Sequence, residues 1–318
     1  MSNKNMTFAP EQAAAMKRPI KKNPNKIKEP VGDRVLNGIT VFFLLLIIIV
    51  VGYPVVYVVS ASLSSASALQ NGRVILWPVE PGIDGYRFVL AYRQVWIGYR
   101  NTLFYTTVGT IFTMTLQILC AYPLARPKFG ARKAYTKVLL VVMLVHAGMV
   151  PTFLIKTSLG LYDTIWAVLL SGCISTHNVF ILRTAFRSSI PQDLFDAAAI
   201  DGANEFQSLW KIALPLAKAT ISVVTLYSIV ARWNEYFVAM IYLRNEELYP
   251  LSLFLRNMLV SSKIDVSDMD ASSQQQAQNA AEQLKYALIV MSTVPVLVAY
   301  GVVQKYFKTG VMIGSVKG

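Results

Sequence analysis

Near residue 230, one apolar stretch contains aromatic, amide and carboxylate side chains that together could bind a sugar. They are Tyr227, Trp233, Asn234, Glu235 and Tyr236. Aromatic rings offer flat apolar faces to sugar rings, and amides and carboxylates hydrogen-bond to hydroxyl groups. Because polar groups are costly in hydrocarbon, their presence favours a function such as lining a translocation path. Alternatively, Arg232 and Glu235 pair with groups of a second protein, or Trp233 has only a structural role.

A second candidate is the segment 188–217, the one long amphipathic stretch in a chain otherwise rich in apolar runs. The pair Ser189 and Gln192 has the spacing of a capping box, which predicts a helix that begins near Ile190. Gly202 suits the left-handed backbone conformation that ends many helices. The sequence therefore predicts a short helix followed by a glycine turn.

A second short helix is predicted directly after this turn. Asn204 can cap it together with Gln207, and Pro215 ends or kinks it. Its apolar side chains recur at the spacing of one helix face; they are Phe206, Leu209, Trp210, Ala213 and Leu214. Two helices joined by a glycine turn between apolar stretches are typical of a knob presented to a partner. An ordinary surface loop with two short helices has the same pattern.

The composition indicates a polytopic helical membrane protein. The 318 residues are 54% hydrophobic and only 15% charged, and the mean hydropathy is +0.46. Several stretches exceed the roughly 18 apolar residues that cross a bilayer. The net charge of +13 would suggest a nucleic-acid partner for a soluble protein. In a membrane protein, it indicates lysine and arginine held on the cytoplasmic side against anionic lipid, so no nucleic-acid partner is expected.

Six membrane spans are predicted, at about residues 39–59, 101–124, 138–155, 164–184, 219–243 and 284–303. The basic arm 1–35 and the basic loop after the second span are expected to be cytoplasmic, because lysine and arginine concentrate on that side. With six spans, both termini and the segment 188–217 are cytoplasmic, whereas the loops 60–99 and 244–283 lie outside. Residues 36–318 form the membrane domain, and Gly148 and Pro151 permit a bend in the third span.

Metal, nucleotide and catalytic sites are not predicted. Cys120 and Cys173 lie in apolar spans, and the two histidines, His146 and His177, lack the spacing of metal ligands. No glycine-rich phosphate loop is present, so the chain has no evident means of hydrolysing ATP. An intramembrane enzyme would need a nucleophile paired with a base, and neither histidine has a serine partner by motif. We therefore expect no enzymatic activity.

The segment around Gly202 resembles the signature loop of ABC-importer permeases. That loop has an acidic residue, two alanines, two variable residues, Asp-Gly-Ala, and later an aliphatic residue and Leu-Pro. The matching residues are Asp196, Ala197, Ala198, Asp201, Gly202, Ala203, Ile212, Leu214 and Pro215. The chain departs from the family pattern at Asp196, where glutamate is usual, and at Ala219, where a second proline is common.

Further runs extend the resemblance across residues 35–318. They lie at 148–152, 159–164, 233–236 and 310–318. Together they resemble carbohydrate-type permeases, in particular the LplC-like permeases for complex oligosaccharides and polysaccharides. The resemblance implies an all-α fold of the MetI-like, type I importer class in a bacterial cell membrane.

The resemblance also implies partners. A second homologous permease pairs with this chain, two ATPase subunits hold the ATP and magnesium, and an extracytoplasmic solute-binding protein delivers an oligo- or polysaccharide. The helix before Gly202 is then the coupling helix, seated in a groove of the ATPase, and the chain itself needs no cofactor. The alternative is a self-contained ion-coupled secondary transporter or channel. That class usually shows inverted repeats, which are not evident here, and the signature loop would remain without a role.

Overall fold

The computed structural model describes residues 30–145, 147–261 and 283–301. The described residues form helices and their connections, without a strand. Most of the predicted basic arm, His146, the polar part of the loop at 262–282 and the tail from 302 lie outside the described residues. By internal contacts the chain divides into two units, residues 1–54 and 55–318. The division falls at Pro54, inside the first helix.

The first helix, α1, covers Val31–Ser62. Up to Pro54 it is a largely apolar helix whose side chains are almost all exposed. Such a surface is expected of a helix that faces lipid. Its 32 residues give a length of roughly 48 Å, which exceeds the hydrocarbon thickness of about 30 Å. It therefore contains the first predicted span with several residues to spare at each end.

The second unit continues with short and long helices in alternation. They are α2 Ala66–Gln70, α3 Asp84–Ala91, α4 Arg93–Ala125, α5 Arg132–Leu144, α6 Met149–Ser158, α7 Ile165–Leu169, α8 Thr176–Ser188, α9 Gln192–Ile200, α10 Glu205–Leu216, α11 Lys218–Trp233, α12 Phe237–Tyr242, α13 Leu251–Ser261 and α14 Gln283–Gly301. A π-helical turn occupies Leu209–Ala213 within α10, and a 3-10 turn at Glu246–Leu248 precedes α13.

Helix α4 lies at the centre of this unit, with α8, α11 and α13 packed against it. Its buried face is lined by small or polar residues at spacings of three and four: Thr102, Thr106, Gly109, Thr113 and Gln117. Small side chains let helices approach closely in a membrane, where apolar burial alone does not drive association. The buried face of α4 therefore explains why three helices can surround it.

Three described helices are long and apolar enough to cross a membrane: α1, α4 and α14. The third predicted span is instead two helices, α5 and α6, and Gly148 has a positive φ of 78° at the start of α6. The predicted bend there is confirmed. Helices α10 and α11 also form a bent pair, at 83°, so up to five spans are present if each bent pair counts as one. The prediction of six single transmembrane helices is not confirmed.

The prediction of one continuous helix for the fourth span is wrong. Between α7 and α8 the backbone turns at Gly172, whose φ is 62°. Ser175 then caps α8 by accepting a hydrogen bond from the backbone N–H of Asn178. The fifth predicted span is likewise interrupted after Trp233, where the Asn234 side chain donates to the carbonyl of Val230 in the preceding turn. Polar side chains compensate the freed backbone groups at these breaks.

The outer loop predicted at 244–283 contains a packed helix, α13. The buried residues Leu251 and Leu253 hold it against the core. The Thr102 hydroxyl accepts a hydrogen bond of 2.8 Å from the backbone N–H of Leu251, and the Asn101 amide donates to the carbonyls of Glu247 and Tyr249. These bonds attach the segment before α13 to α4.

Candidate coupling surface and solute path

Helix α9 ends in a tight glycine turn at Gly202, as predicted. Gly202 has a φ of 80°, its N–H donates to the carbonyl of Ala199, and the N–H of Ala203 donates to the carbonyl of Ala198. This pair of bonds is the Schellman motif, which requires a left-handed residue at the position of Gly202. Apart from Gly202 and its two chain neighbours, no atom of the described residues lies within 4 Å of where a Gly202 Cβ would stand, so within them the turn faces open space.

The two predicted helix caps have different outcomes. The capping box of α10 is confirmed: Asn204 Oδ1 accepts from the Gln207 N–H at 2.8 Å, and Gln207 Oε1 accepts from the Asn204 N–H at 3.0 Å. The predicted cap of α9 is wrong, because Pro191 precedes the helix without a side-chain cap and Gln192 instead bonds to Asp196. A proline is suited to a helix start, where its missing N–H costs nothing.

Helix α9 is anchored to the core by Phe195. This ring is 4% exposed and packs on Tyr122 and Phe186. The guanidinium of Arg126, at the end of α4, lies over the ring of Phe195, with 3.8 Å between Cζ and the ring centroid. Such a cation–π contact is strongest where water is excluded, and Arg126 is only 6% exposed.

The same Arg126 also holds helix α10. Its Nε and Nη2 each donate to a different carboxylate oxygen of Glu205 at 3.2 Å, and the Tyr122 hydroxyl donates to Glu205 at 2.8 Å. Lys128 forms a further ion pair with Asp196 of α9, at 3.5 Å. Bidentate pairs fix orientation as well as distance. Arg126 therefore attaches both short helices to the end of α4.

The electrostatics of Glu205 make this attachment sensitive to acid. Burial raises the pKa of the Glu205 carboxyl, but the hydrogen bonds from Arg126 and Tyr122 outweigh burial and hold this pKa below its ordinary value. A lowered pKa in the folded state stabilises the fold at pH values above the ordinary pKa of about 4.3. That contribution is lost as the pH falls through the lowered pKa of Glu205.

The outer side of α9 and α10 is an exposed apolar surface, hereafter the coupling surface. It consists of Leu194, Ile200, Phe206 and Trp210, which are 44%, 87%, 63% and 59% exposed. The predicted stripe on α10 is divided, because Leu209 and Ala213 are buried in the core whereas Phe206 and Trp210 point outward. Phe206 and Trp210 are in direct contact, with 6.2 Å between their ring centroids, and exposed apolar patches mark interaction sites.

The signature residues frame this surface. Ala197, Asp201, Gly202 and Pro215 are exposed, whereas Asp196, Ala198, Ala203 and Leu214 are partly buried. In α9, the alanines keep the helix surface smooth, so a partner could approach its backbone closely.

A cavity of about 270 Å³ lies between α4, α7, α8 and α11. Its polar lining residues are Tyr105, Thr113, Gln117, Ser171, Ser175, Asn178, Tyr227, Ser228, Arg232 and Glu235. Hydroxyls, amides and two charged groups in one concave site provide donors and acceptors in several directions. We refer to this cavity as the path cavity.

Arg232 is the central cation of the path cavity. Its Nη2 donates to Thr113 Oγ1 at 2.7 Å and to the Leu169 carbonyl at 3.2 Å. Gly109 of α4 makes room for it, since a Cβ there would stand 2.7 Å from Nη1 and 2.9 Å from Cδ of Arg232. Lys156 of α6 adds a second cation nearby by donating to the Ser171 hydroxyl, and its Nζ lies 4.5 Å from the centroid of the Tyr242 ring.

The five residues proposed for sugar binding do not lie together. Tyr227 and Glu235 line the path cavity. Trp233 is 7% exposed and its indole N–H donates to the carbonyl of Ser292 in α14, at 3.0 Å. Asn234 bonds to its own helix, and Tyr236 stands beside Phe237. Trp233 therefore joins two helices, as in the structural alternative.

Gln117 is a functional candidate that sequence reasoning missed. It is fully buried, lines the path cavity, and has no hydrogen-bond partner for either amide atom among the described residues. Buried amides normally have hydrogen-bond partners, so the Gln117 amide is placed to bond to water or solute in the cavity. Its position on the small-residue face of α4 was a readable signal. Arg126 and Glu205 were also missed, because a separation of 79 positions along the chain leaves no local pattern.

The described residues contain no group of three histidine, cysteine, aspartate or glutamate side chains that could hold a metal ion. Cys120 and Cys173 are both free thiols. The coupling surface and the path cavity are two features that could act on a partner or a solute.

Comparison with known proteins gives consistent results. A family model described as "Binding-protein-dependent transport system inner membrane component" matches residues 27–312. The polygalacturonan/rhamnogalacturonan transport system permease protein YtcP of Bacillus subtilis (strain 168) is 33% identical over 289 residues, which are 90% of this chain and 99% of the relative. Protein LplC of the same organism is 33% identical over 268 residues, covering 83% of this chain and 89% of LplC.

A solved structure gives the same answer. It contains a chain of a bacterial ABC transporter involved in the import of the acidic polysaccharide alginate, which is 35% identical to this chain and has a TM-score of 0.80. The alignment covers 88% of this chain and 99% of that chain. The family match includes the coupling surface and the path cavity. The chain therefore belongs to the family of binding-protein-dependent transport system inner membrane components, and it is a multi-pass permease subunit of an ABC importer rather than an enzyme.

Proposed function

We propose that this permease imports an oligo- or polysaccharide and forms half of the translocation path. A second homologous permease completes the path, two ATPase subunits bind ATP and magnesium, and an extracytoplasmic solute-binding protein delivers the sugar. The termini and the segment 188–217 face the cytoplasm, and the loops 60–99 and 244–283 face outward. The residues that couple to the ATPase are Asp196, Ala197, Ala198, Asp201, Gly202, Ala203, Leu214 and Pro215.

The proposal rests on the coupling surface and on the Arg126 contacts that attach its two helices to α4. Its apolar side chains are exposed, while Arg126 joins both supporting helices to α4. Force applied at the surface is then transmitted to the central helix of the membrane domain. A chain with no nucleotide motif must receive work by contact, and two capped helices tied to a core helix are stiff enough to transmit it.

The saccharide assignment is supported by the chemistry of the path cavity and by the relatives. Tyr227 and Glu235, with the surrounding hydroxyls and amides, provide the stacking face and hydrogen-bonding groups that sugars require. Two relatives carry names that specify polygalacturonan/rhamnogalacturonan and alginate. We extend the saccharide class, and not one particular sugar, to this chain.

Purification tests the proposed assembly. A tagged copy extracted from its native membrane in mild detergent should bring with it a second permease and an ATPase, which mass spectrometry would identify. ATP-dependent uptake by the reconstituted complex would then be measured with oligosaccharides offered through the binding protein. A stable particle of this chain alone that transports without ATP would contradict the proposal and support an ion-coupled secondary transporter.

Charge removal at Glu235 tests the path assignment. Glu235→Gln keeps the acceptor that bonds to the N–H of Val238 but removes the negative charge from the cavity. We expect the apparent affinity for saccharide in uptake assays to fall about tenfold, since a charge-assisted hydrogen bond contributes roughly 1.5–3 kcal/mol.

The neighbouring Asn234→Ala is the matched control for that substitution. Asn234 is exposed and, among the described residues, its side chain bonds only to its own helix, so uptake should stay within about twofold of the unmodified protein. Equal affinities for Glu235→Gln and the unmodified protein would remove Glu235 from the path.

A further inference from the structure

A second polar cavity, of about 340 Å³, lies beside the base of α9 and apart from the path cavity. It is lined by three arginines, Arg126, Arg132 and Arg187, which come from the end of α4, the start of α5 and the end of α8. Gln192 of α9 also lines it, together with apolar side chains. No acidic side chain of the described residues lies in this lining.

The positive charge of this cavity is only partly balanced. Arg126 is neutralised by Glu205, and the nearby Asp196 is engaged by Lys128 and Gln192. Over the residues that the structure describes, Arg132 and Arg187 form no ion pair. Arg183 adds to the excess, because it lies within electrostatic range of both. Like charges held together are unfavourable unless an anion offsets them.

Arg126 supplies an independent observation that points to a ligand. Its Nη1 is buried and has no hydrogen-bond partner in the described part of the chain, although the residue is 94% buried and lines the cavity. An unpaired buried donor of a charged group costs more than a neutral one. An acceptor oxygen in the cavity would satisfy it.

We propose that Arg132 and Arg187, with Arg126 behind them, bind the phosphate headgroup of an anionic phospholipid. Arginines suit phosphate because their planar donors match its oxygens. The lipid source is favoured by α5, on which Tyr135, Val138 and Val141 are all more than half exposed beyond Arg132. A phosphate at Arg132 then lies within one helical turn of Tyr135, where the exposed apolar surface of α5 begins.

A bound headgroup would also stabilise the helices that support the coupling surface. The headgroup joins the start of α5 and the end of α8 to Arg126, which contacts Phe195 of α9 and Glu205 of α10, so it strengthens the base of the coupling surface. This consequence rests on the proposed cytoplasmic position of that surface, where anionic lipid is attracted by basic segments. The binding itself can be measured without transport, so its failure is distinguishable from a failure of the saccharide proposal.

Lipid binding would be measured on the purified transporter complex in nanodiscs of phosphatidylcholine with increasing phosphatidylglycerol, with thermal stability and retained lipid as the readouts. The proposal predicts that Arg132→Gln and Arg187→Gln each weaken the apparent lipid affinity about tenfold, because each removes charge-assisted hydrogen bonds to the phosphate. Lys133→Gln is the matched control, since Lys133 is exposed next to Arg132 but does not line the cavity. It should retain the unmodified affinity.

Three outcomes decide the inference. If Lys133→Gln loses as much affinity as the arginine variants, the attraction is diffuse and no built site exists. If inorganic phosphate stabilises the complex in pure phosphatidylcholine as well as phosphatidylglycerol does, and the arginine variants lose this effect, the ligand is a free anion and the lipid source is wrong. If the arginine variants no longer bring the ATPase through purification, the arginines serve that partner and the proposal is overturned.

Discussion

Replacing Gly202 by aspartate is expected to abolish saccharide uptake while the amount of protein in the membrane stays unchanged. The backbone there is left-handed, with a φ of 80°, and nothing lies within 4 Å of the added Cβ. Aspartate is among the residues that tolerate this conformation, so the strain is about 1–2 kcal/mol at most. The larger effect comes from a carboxylate placed on the coupling surface, where docking would bury it without a partner. Such a charge costs at least about 3 kcal/mol, equivalent to more than a hundredfold in ATPase affinity.

Gly160→Asp is the matched control for this experiment. Gly160 also has a positive φ, 70°, and open space around its Cβ position, so the strain and the added charge are the same. It lies in the turn between α6 and α7, far along the chain from the coupling surface. Its uptake should remain close to that of the unmodified protein. Full uptake by Gly202→Asp, measured in proteoliposomes at equal protein amounts, would exclude the coupling role of the turn.

The second large effect is expected at the Arg126–Glu205 pair, where removal of the exposed partner leaves the buried partner unpaired. The Arg126 side chain is 7% exposed, whereas that of Glu205 is 61% exposed. Glu205→Gln leaves a buried guanidinium without its counter-charge, and this should lower the free energy of unfolding by about 2 kcal/mol once solvent access to the pair is allowed for. Uptake should fall with it, because α10 is then loosely held.

The double variant separates this explanation from a general loss of packing. Arg126→Met combined with Glu205→Gln removes the buried charge together with its partner, so the double variant should be more stable than Glu205→Gln alone. Thermal unfolding of the purified complex would measure this, analysed as a double-mutant cycle. Additive losses would show that the two side chains act independently. Tyr122→Phe would then report how much of the remaining effect is due to the Tyr122 hydrogen bond to Glu205.

Local signals explain why the sequence alone predicts the segment around Gly202 well. The Schellman turn and the capping box each involve residues within five positions of one another. A glycine that must take positive φ, and an Asn–Gln pair three apart, are therefore visible in the sequence. The Ser189 and Gln192 pair gave a wrong prediction of a cap, because it too was judged from local spacing alone. Its spacing is correct, but Ser189 ends α8 and Pro191 supplies the start of α9.

The membrane class and the family were likewise determined by the sequence, because long apolar runs need no tertiary information to be recognised. The breaks inside those runs were decided by tertiary structure. Residues 170–175 and 234–236 lie inside predicted apolar spans, but there the chain leaves the helical path. The freed backbone groups find partners such as the Ser175 and Glu235 side chains. Hydropathy averaged over a span does not show that backbone hydrogen bonds are replaced by bonds to side chains.

Only the tertiary structure decided which side chains meet. Trp233 adjoins the proposed path residues in sequence yet bonds to Ser292, because a helix turns its neighbours to different faces. Arg126 reaches Phe195 and Glu205, and Gln117 faces the path cavity from α4. The sequence by itself determined the family of this protein and the local turn at Gly202 that we propose couples it to an ATPase. The packing of α4 against α8 and α11 decided which residues support that turn and which line the path cavity, because these contacts join residues far apart in the chain.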